Sequence, residues 1–158
     1  MFDYYGMPED WPGRAQASSR PWEQRAAFVE QMVSAEIQKQ LDDRFNPQLF
    51  IPYVQLHEFE ALAFAKVETL VEVVSPLHKG RADHLLESFQ KILKQAGAPE
   101  AINDSYETCP SRRILKLVPA YTKTAQGPIV TGRIGIETLR QRCPHFASWL
   151  SRLEQLNT

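Results

Sequence analysis

The chain has 158 residues, which is enough for one ordinary domain with a single core. Its hydrophobic fraction of 43% and its charged fraction of 23% are typical of a globular protein and exclude a disordered or low-complexity chain. The formal net charge of −1 excludes a protein that is basic overall, so any affinity for nucleic acid has to come from a local patch and has to weaken with salt.

The charges are divided unevenly along the chain. Residues 1–108 contain 17 acidic and 10 basic side chains, whereas residues 109–158 contain 2 acidic and 8 basic ones. This asymmetry is consistent with an anion-binding face, and equally with two halves that attract each other across the fold.

The sequence predicts a cytoplasmic protein without contact to a membrane. No apolar stretch approaches the roughly 18 residues of a membrane helix, and residues 1–5 lack the basic region and the apolar core of a signal peptide. Cys109 and Cys143 are far apart and outside any C-x-x-C spacing, which predicts two buried free thiols rather than a disulfide or a zinc site.

The first half of the chain predicts a short strand, a helix and a second strand. Residues 1–5 are typical of a strand end that runs into a glycine- and proline-rich loop, and residues 21–43 repeat apolar side chains at helical spacing. The apolar run at 49–56 is rich in β-formers and predicts a strand in which Pro52 marks an edge or a bulge. Good helix formers follow at 58–65.

The rest of the chain is expected to be mostly helical. The predicted helices cover residues 67–74, 80–97, 111–118, 136–142 and 144–156. The second of them has the clearest amphipathic stripe and ends at Gly97, and residues 99–110 are expected to form a polar loop. Glycines and prolines between 119 and 135 are interpreted as breaks. Because there is no internal repeat and no long linker, the sequence predicts a single α/β domain over residues 1–158.

Three acids, Asp3, Glu58 and Glu60, lie where strands are predicted to end. Ligands of open α/β sheets bind beyond such ends, and Mg²⁺ takes one or two carboxylates together with water. Glu58 and Glu60 would share one side of a strand but lie on roughly opposite sides of a helix. The alternative is structural, since the helix dipole favours a Glu at a helix start and Asp3 suits a turn. His57 has no second histidine at a ligand spacing, which excludes H-E-x-x-H zinc chemistry.

A basic segment follows residue 110. Ser111 and Arg113 lie at a predicted helix start, where backbone N–H groups and the positive end of the dipole favour a phosphate. Lys123 adds positive charge nearby, and the ring of Tyr121 is a candidate to stack on a base. Taken singly, each of these residues is better interpreted as a solvated surface residue. The other basic residues of the segment are Arg112, Arg133, Arg140 and Arg142.

The run Q-L-H-E-F-E-A-L at residues 55–62 is charged, polar and long enough that it rarely recurs by chance. Together with other segments it resembles a bacterial family of Toprim-like proteins, domain of unknown function 4276. The matching segments are residues 3–8, 51–62, 102–104, 110–113, 121–123 and 143–146.

This resemblance implies a Toprim-like α/β sheet flanked by helices, with acids placed around Mg²⁺ or Mn²⁺. It implies Asp3 and Glu58 as metal ligands and Glu60 as either a further ligand or a group that supports the ligands, with Glu58 and Glu60 as the catalytic acids. Arg113 and Lys123 would contact phosphate. The other residues of the family's motifs are His57, Asp104 and His145.

Family members usually begin with a strand and a helix that carry an E-G-x-T-E motif, which this sequence does not contain. We therefore expect a partial Toprim-like sheet that is incomplete at its N-terminal side, with a helix-rich C-terminal half. An exposed sheet edge of this kind is expected to promote self-association.

These observations leave three interpretations of function open. With a complete site, the chain is expected to be a metal-dependent nuclease that hydrolyses nucleic-acid phosphodiesters, like the phage-defence nucleases of this fold. Without the acidic motif, it is expected to be a non-catalytic partner that binds nucleic acid or docks onto an ATPase. A structural fragment without an independent function is the third interpretation.

Overall fold

The computed structural model of this chain describes residues 2–102 and 106–157. Within these residues, helices dominate and one small parallel sheet is present. The chain forms two compact units, Met1–Leu56 with Ala147–Thr158 and His57–Phe146. The predicted mixed α/β class with a helix-rich C-terminal half is confirmed, while the Toprim-like sheet and the single-domain organisation stay predictions.

The sheet of the first unit pairs β1 (Phe2–Asp3) with β2 (Val54–Gln55) in parallel. Phe2 lies opposite Val54 and Asp3 opposite Gln55. The N–H groups of Phe2 and Tyr4 donate to the carbonyls of Tyr53 and Gln55, each at 2.9 Å. The sequence predicted the end of a strand within residues 1–5, and the structure has that strand at Phe2–Asp3. Its parallel pairing with β2 was not predicted.

The strand predicted over 49–56 is wrong in its extent. Residues Pro47–Leu49 form a 3₁₀ turn, and only Val54–Gln55 pair with β1. Pro52 has no N–H group, so the chain before Val54 cannot supply a continuous row of ladder donors.

Two helices, α1 (Arg14–Ala17) and α2 (Trp22–Leu41), complete the regular structure before β2. The helix predicted over 21–43 is confirmed as α2. Its buried face contains Ala26 and Val29, whereas Leu41 at its end is 40% exposed. The residues of the first unit's core are Tyr4, Met7, Ala17, Ala26, Val29, Val54 and Leu56.

The first unit also contains a buried acid with a structural task. The carboxylate of Glu30 on α2 accepts the backbone N–H of Val54 at 2.7 Å. Because β2 pairs with β1 through its other backbone groups, this N–H would otherwise be a buried donor without a ladder partner. Glu30 therefore fixes the strand against the helix.

The second unit is built around a 3₁₀ helix, Phe59–Lys66, whose residues from Glu60 to Ala65 are all buried. It continues into α3 (Val67–Val74) and is followed by α4 (Ala82–Ala96), which ends at Gly97 with a φ of 83°. Both helices lie where the sequence predicted them. The predicted stripe of α4 is confirmed at Leu85 and Phe89, which are buried in the core.

Four more helices follow: α5 (Pro110–Leu117), α6 (Lys123–Ile134), α7 (Ile136–Arg142) and α8 (Pro144–Glu154). Three were predicted, and α6 was not, because its glycines and Pro128 read as breaks. In α8, Phe146 and Trp149 are half-buried, whereas Leu156, just beyond the helix, is 54% exposed. The short 3₁₀ turns are Asp42–Arg44, Pro47–Leu49, Ser75–Leu77, Pro99–Ala101, Tyr106–Thr108 and Gln155–Asn157.

The two cysteines and the length of the apolar helices were also predicted from the sequence. Cys109 and Cys143 are both buried free thiols, as predicted, and burial raises the pKa of Cys143 to about 12. Over the described ranges, no helix combines the length and the apolarity that a membrane span requires.

Candidate functional site

The candidate site lies entirely in the second unit and is centred on Glu58. This residue directly precedes the 3₁₀ helix Phe59–Lys66. Its Oε2 accepts the backbone N–H of Ser111 at 2.8 Å, and its Oε1 accepts a short hydrogen bond from Nζ of Lys123. These partners are 53 and 65 positions further along the chain. Three residues that the sequence singled out therefore meet at one point.

Ser111 presents its backbone N–H because it is the second residue of α5. Pro110 occupies the first position and has no N–H group, so the Ser111 amide is the first donor at the positive end of the helix. A helix start of this kind was predicted to bind a phosphate. In the structure the acceptor at this amide is the Glu58 carboxylate, which has the same charge sign and oxygen chemistry.

Lys123 is the first residue of α6 and connects two acids. Besides its hydrogen bond to Glu58, its Nζ lies 3.9 Å from Oε2 of Glu60. Partial burial lowers the pKa of Lys123, but the two carboxylates outweigh that effect and the pKa lies above its ordinary value. The ammonium is therefore firmly charged.

Glu60 is the buried acid of the site. Its side chain is 4% exposed, and its Oε1 lies 3.5 Å from the hydroxyl of Tyr121. Burial raises the pKa of Glu60, and a hydrogen bond from its own backbone N–H and the positive charge of Lys123 offset this only in part. Both side-chain partners are distant for contacts of a buried carboxylate, since O–H···O hydrogen bonds are normally about 2.5–3.0 Å.

The two acids are held in opposite electrostatic environments. Burial raises the pKa of Glu58 as well, but hydrogen bonds from Lys123 and from Ser111 outweigh it, so this pKa lies below its ordinary value. In Glu60, the hydrogen bond from its own backbone N–H and the charge of Lys123 do not outweigh burial. Both carboxylates contact Lys123, because Glu58 precedes the 3₁₀ helix with an extended backbone at a ψ of 159° and does not lie within the helix.

Tyr121 does not have the role that the sequence suggested. Its ring was predicted to stack on a base, but the residue is only 5% exposed and packs in the core of the second unit, so no ring face is open to a base. Its hydroxyl instead points at Glu60, and burial, together with the negative charge of Glu60, raises the pKa of Tyr121. Gly127 lies beside it, and a methyl group there would meet this hydroxyl at 3.4 Å.

The remaining predicted residues are not joined to this cluster by a described contact. Asp3 lies in the first unit, where its carboxylate accepts the N–H of Tyr5 at 2.9 Å, and its predicted pairing with Glu58 stays a prediction. Nε of Arg113 donates to the Thr108 carbonyl at 2.7 Å, so its contact to phosphate also stays a prediction.

The other three predicted residues of the family's motifs are His57, His145 and Asp104. His57 is 1% exposed and directly precedes Glu58. His145 lies in the first turn of α8, and Asp104 lies outside the described residues.

An acid that the sequence did not single out is prominent in the same unit. Glu100 is 1% exposed, and its two oxygens accept the N–H groups of His145 and Phe146, each at 3.0 Å. It thus caps the start of α8 from 45 positions earlier in the chain. No local pattern could have revealed this, because an N-cap is normally supplied by the residue just before the helix.

The donor chemistry of Glu58 and Glu60 fits a hard divalent cation. Mg²⁺ needs only one or two carboxylates because it keeps several waters, and Mn²⁺ accepts the same oxygen ligands. A larger cage is not found, since the described residues contain no group of three His, Cys, Asp or Glu side chains that could hold a metal. The single ammonium of Lys123 contacts both carboxylates and offsets one negative charge of the pair.

Comparison with known proteins gives one match. A family model described as a domain of unknown function (DUF4276) matches residues 1–154. No curated protein and no solved structure matches the chain significantly.

Proposed function

The chain belongs to the DUF4276 family, and we propose that it hydrolyses phosphodiesters of nucleic acid with a divalent cation, Mg²⁺ or Mn²⁺, held at Glu58 and Glu60. The observation that carries this proposal is the meeting of an acid pair with two phosphate-type donors, the Ser111 N–H and Lys123. A phosphodiester needs both kinds of group, because its oxygens require donors and its leaving oxygen requires charge stabilisation. The Toprim-like sheet and a role in phage defence belong to this proposal.

Each residue has a definite task in this proposal. Lys123, a half-exposed ammonium, neutralises charge on a phosphoryl oxygen, and the Ser111 N–H donates to a second oxygen. Glu58 and Glu60 supply carboxylate oxygens to the cation. When bound, the cation would activate water and stabilise negative charge on phosphorus-bound oxygens.

A second candidate function is favoured by the charge balance of the cluster. Lys123 neutralises the charge of Glu58, and the Ser111 N–H donates to it, so the Glu58 carboxylate is compensated without a metal. A protein that only binds nucleic acid, or docks onto an ATPase, would not need a metal at this site. The two functions differ in whether phosphodiester bonds are broken.

The test is a cleavage assay on the full chain. Labelled single-stranded DNA, duplex DNA and RNA are incubated with the protein in Mg²⁺, Mn²⁺ or EDTA. We expect metal-dependent cleavage of at least one substrate, reduced at least about 100-fold in Glu58→Gln and in Glu60→Gln. Glu72→Gln, an exposed acid on α3, is the matched control and should cleave like the wild type.

Circular dichroism and thermal unfolding of each variant establish that the fold is retained. Cleavage that is retained in both Glu58→Gln and Glu60→Gln would rule out the proposed catalytic site. Binding without cleavage, in every metal and on every substrate, would select the non-catalytic function. In either case we expect affinity for nucleic acid to fall steeply between low and physiological salt, because it depends on a local patch.

A further inference from the structure

The Glu58 carboxylate occupies both donors that a phosphate would use. We propose that an oxyanion replaces this carboxylate on Lys123 and the Ser111 N–H, and that the exchange frees Glu58 to bind a divalent cation. Oxyanion and cation would then bind with positive coupling. This inference rests on the proposed function and adds to it an order of assembly, in which substrate completes the metal site.

The two contacts of Glu58 match those of a bound oxyanion. One carboxylate oxygen takes a helix-start amide at 2.8 Å and the other takes an ammonium, which is how phosphate oxygens are held at helix N-termini near a lysine. The Glu58 side chain is 20% exposed and that of Lys123 is 49% exposed. An anion from solvent can therefore reach both donors without unfolding the unit.

Glu60 provides an independent reason to expect a cation. It is almost fully buried, yet its contacts to Tyr121 and Lys123 are 3.5 and 3.9 Å long. A buried carboxylate is costly unless close donors or a metal compensate it. While Lys123 is the counter-ion, the side-chain partners of Glu58 are thus close and those of Glu60 are distant, and the backbone N–H of Glu60 offsets its burial only in part.

The sign of the coupling follows from charge. If Lys123 turns from the acids to an oxyanion, Glu58 and Glu60 are left as neighbouring like charges, which favours a cation between them. If a divalent cation binds the acids first, it repels the ammonium and makes it available to an anion. Linkage requires the two effects to be equal in free energy.

The test measures Mn²⁺ affinity without any chemical step. Free Mn²⁺ is determined by electron paramagnetic resonance during titration of the full chain, in sodium sulfate and in sodium chloride of equal ionic strength. Sulfate is the tetrahedral oxyanion probe, and a protein-free titration corrects for its own pairing with Mn²⁺. We expect wild-type affinity for Mn²⁺ to be about tenfold higher in sulfate, within the range typical of coupled sites.

Three variants make the result specific. Lys123→Met removes the competing ammonium, so Mn²⁺ should bind more tightly than to the wild type in chloride, and sulfate should have no further effect. Lys123→Arg keeps the charge and should keep a sulfate effect, which guards against a folding defect in the first variant. Lys94→Met, an exposed lysine on α4, should behave like the wild type.

Equal Mn²⁺ affinity of the wild type in both salts would overturn the exchange, as would weaker Mn²⁺ binding by a folded Lys123→Met variant. If Mn²⁺ binds and nucleic acid is cleaved without a sulfate effect, the exchange is wrong and the proposed function stands. If Mn²⁺ does not bind in either salt and no cleavage occurs, both are wrong.

Discussion

Removal of the Glu100 carboxylate is expected to destabilise the start of α8. Both oxygens of this buried acid are used, because each accepts one backbone N–H of the first helical turn at 3.0 Å. The first N–H groups of any helix have no partner within the helix itself. Glu100→Ala therefore leaves two partly buried donors without their acceptor.

The size of the effect can be estimated from these two hydrogen bonds. A buried donor left without a partner costs about 1–3 kcal/mol, and the lower part of that range applies because the donors are only partly buried. We expect Glu100→Ala to lower the free energy of unfolding by about 3 kcal/mol. Glu100→Gln keeps one acceptor oxygen and removes a buried charge, so it should cost less than half of this at neutral pH.

The pH dependence of the comparison follows from the pKa of Glu100. Burial raises this pKa, and the hydrogen bonds from His145 and Phe146 offset the effect only in part. The folded protein therefore holds the proton more tightly than the unfolded chain. The stability that protonated Glu100 contributes is fully present below the pKa that this residue has in the unfolded chain. It is lost as the pH rises through the higher pKa of Glu100 in the folded protein. The advantage of the wild type over Glu100→Gln should shrink over that interval.

Urea unfolding followed by circular dichroism, at several pH values from about 4 to 8, measures both effects. Glu87→Ala is the matched control, because Glu87 is an exposed acid on α4, and it should stay within about 0.5 kcal/mol of the wild type. A Glu100→Ala variant as stable as this control would refute the capping argument. A wild-type advantage over Glu100→Gln that grows with pH would contradict the argument from the raised pKa of Glu100.

Two further stability predictions use matched pairs of variants in the same unfolding assay. Gly132→Ala should stabilise α6 by about 0.5–1 kcal/mol, because a methyl group at this position meets nothing within 4 Å. Gly97→Ala should destabilise the protein, because the φ of Gly97 is 83°. Equal effects of the two substitutions would contradict this prediction. Glu30→Ala should cost at least about 1 kcal/mol because the Val54 N–H loses its acceptor, while the exposed neighbour substitution Gln31→Ala should be nearly neutral. A Glu30 variant as stable as its neighbour would be the contrary result.

The helices α3 and α4 could be predicted because local periodicity determines them. Leu85 and Phe89 recur at helical spacing, and Gly97 ends α4 with the positive φ that glycine adopts most easily. The prediction failed for α6, where Gly127 and Pro128 argue against a helix. Burial of Val130 and Ile134 against the core outweighs that local preference, and burial is not visible in a local pattern.

The sequence by itself determined the residue types of the candidate site and most of the helices. Glu58, Glu60, Ser111 and Lys123 were identified from helix starts, charge and the family's motifs. Only the tertiary structure decided that Ser111 and Lys123 donate hydrogen bonds to Glu58, and that the hydroxyl of Tyr121 faces Glu60 while its ring does not stack on a base. These contacts span 53 to 65 positions, and local propensity has no information at that separation, because packing of the whole unit brings the residues together.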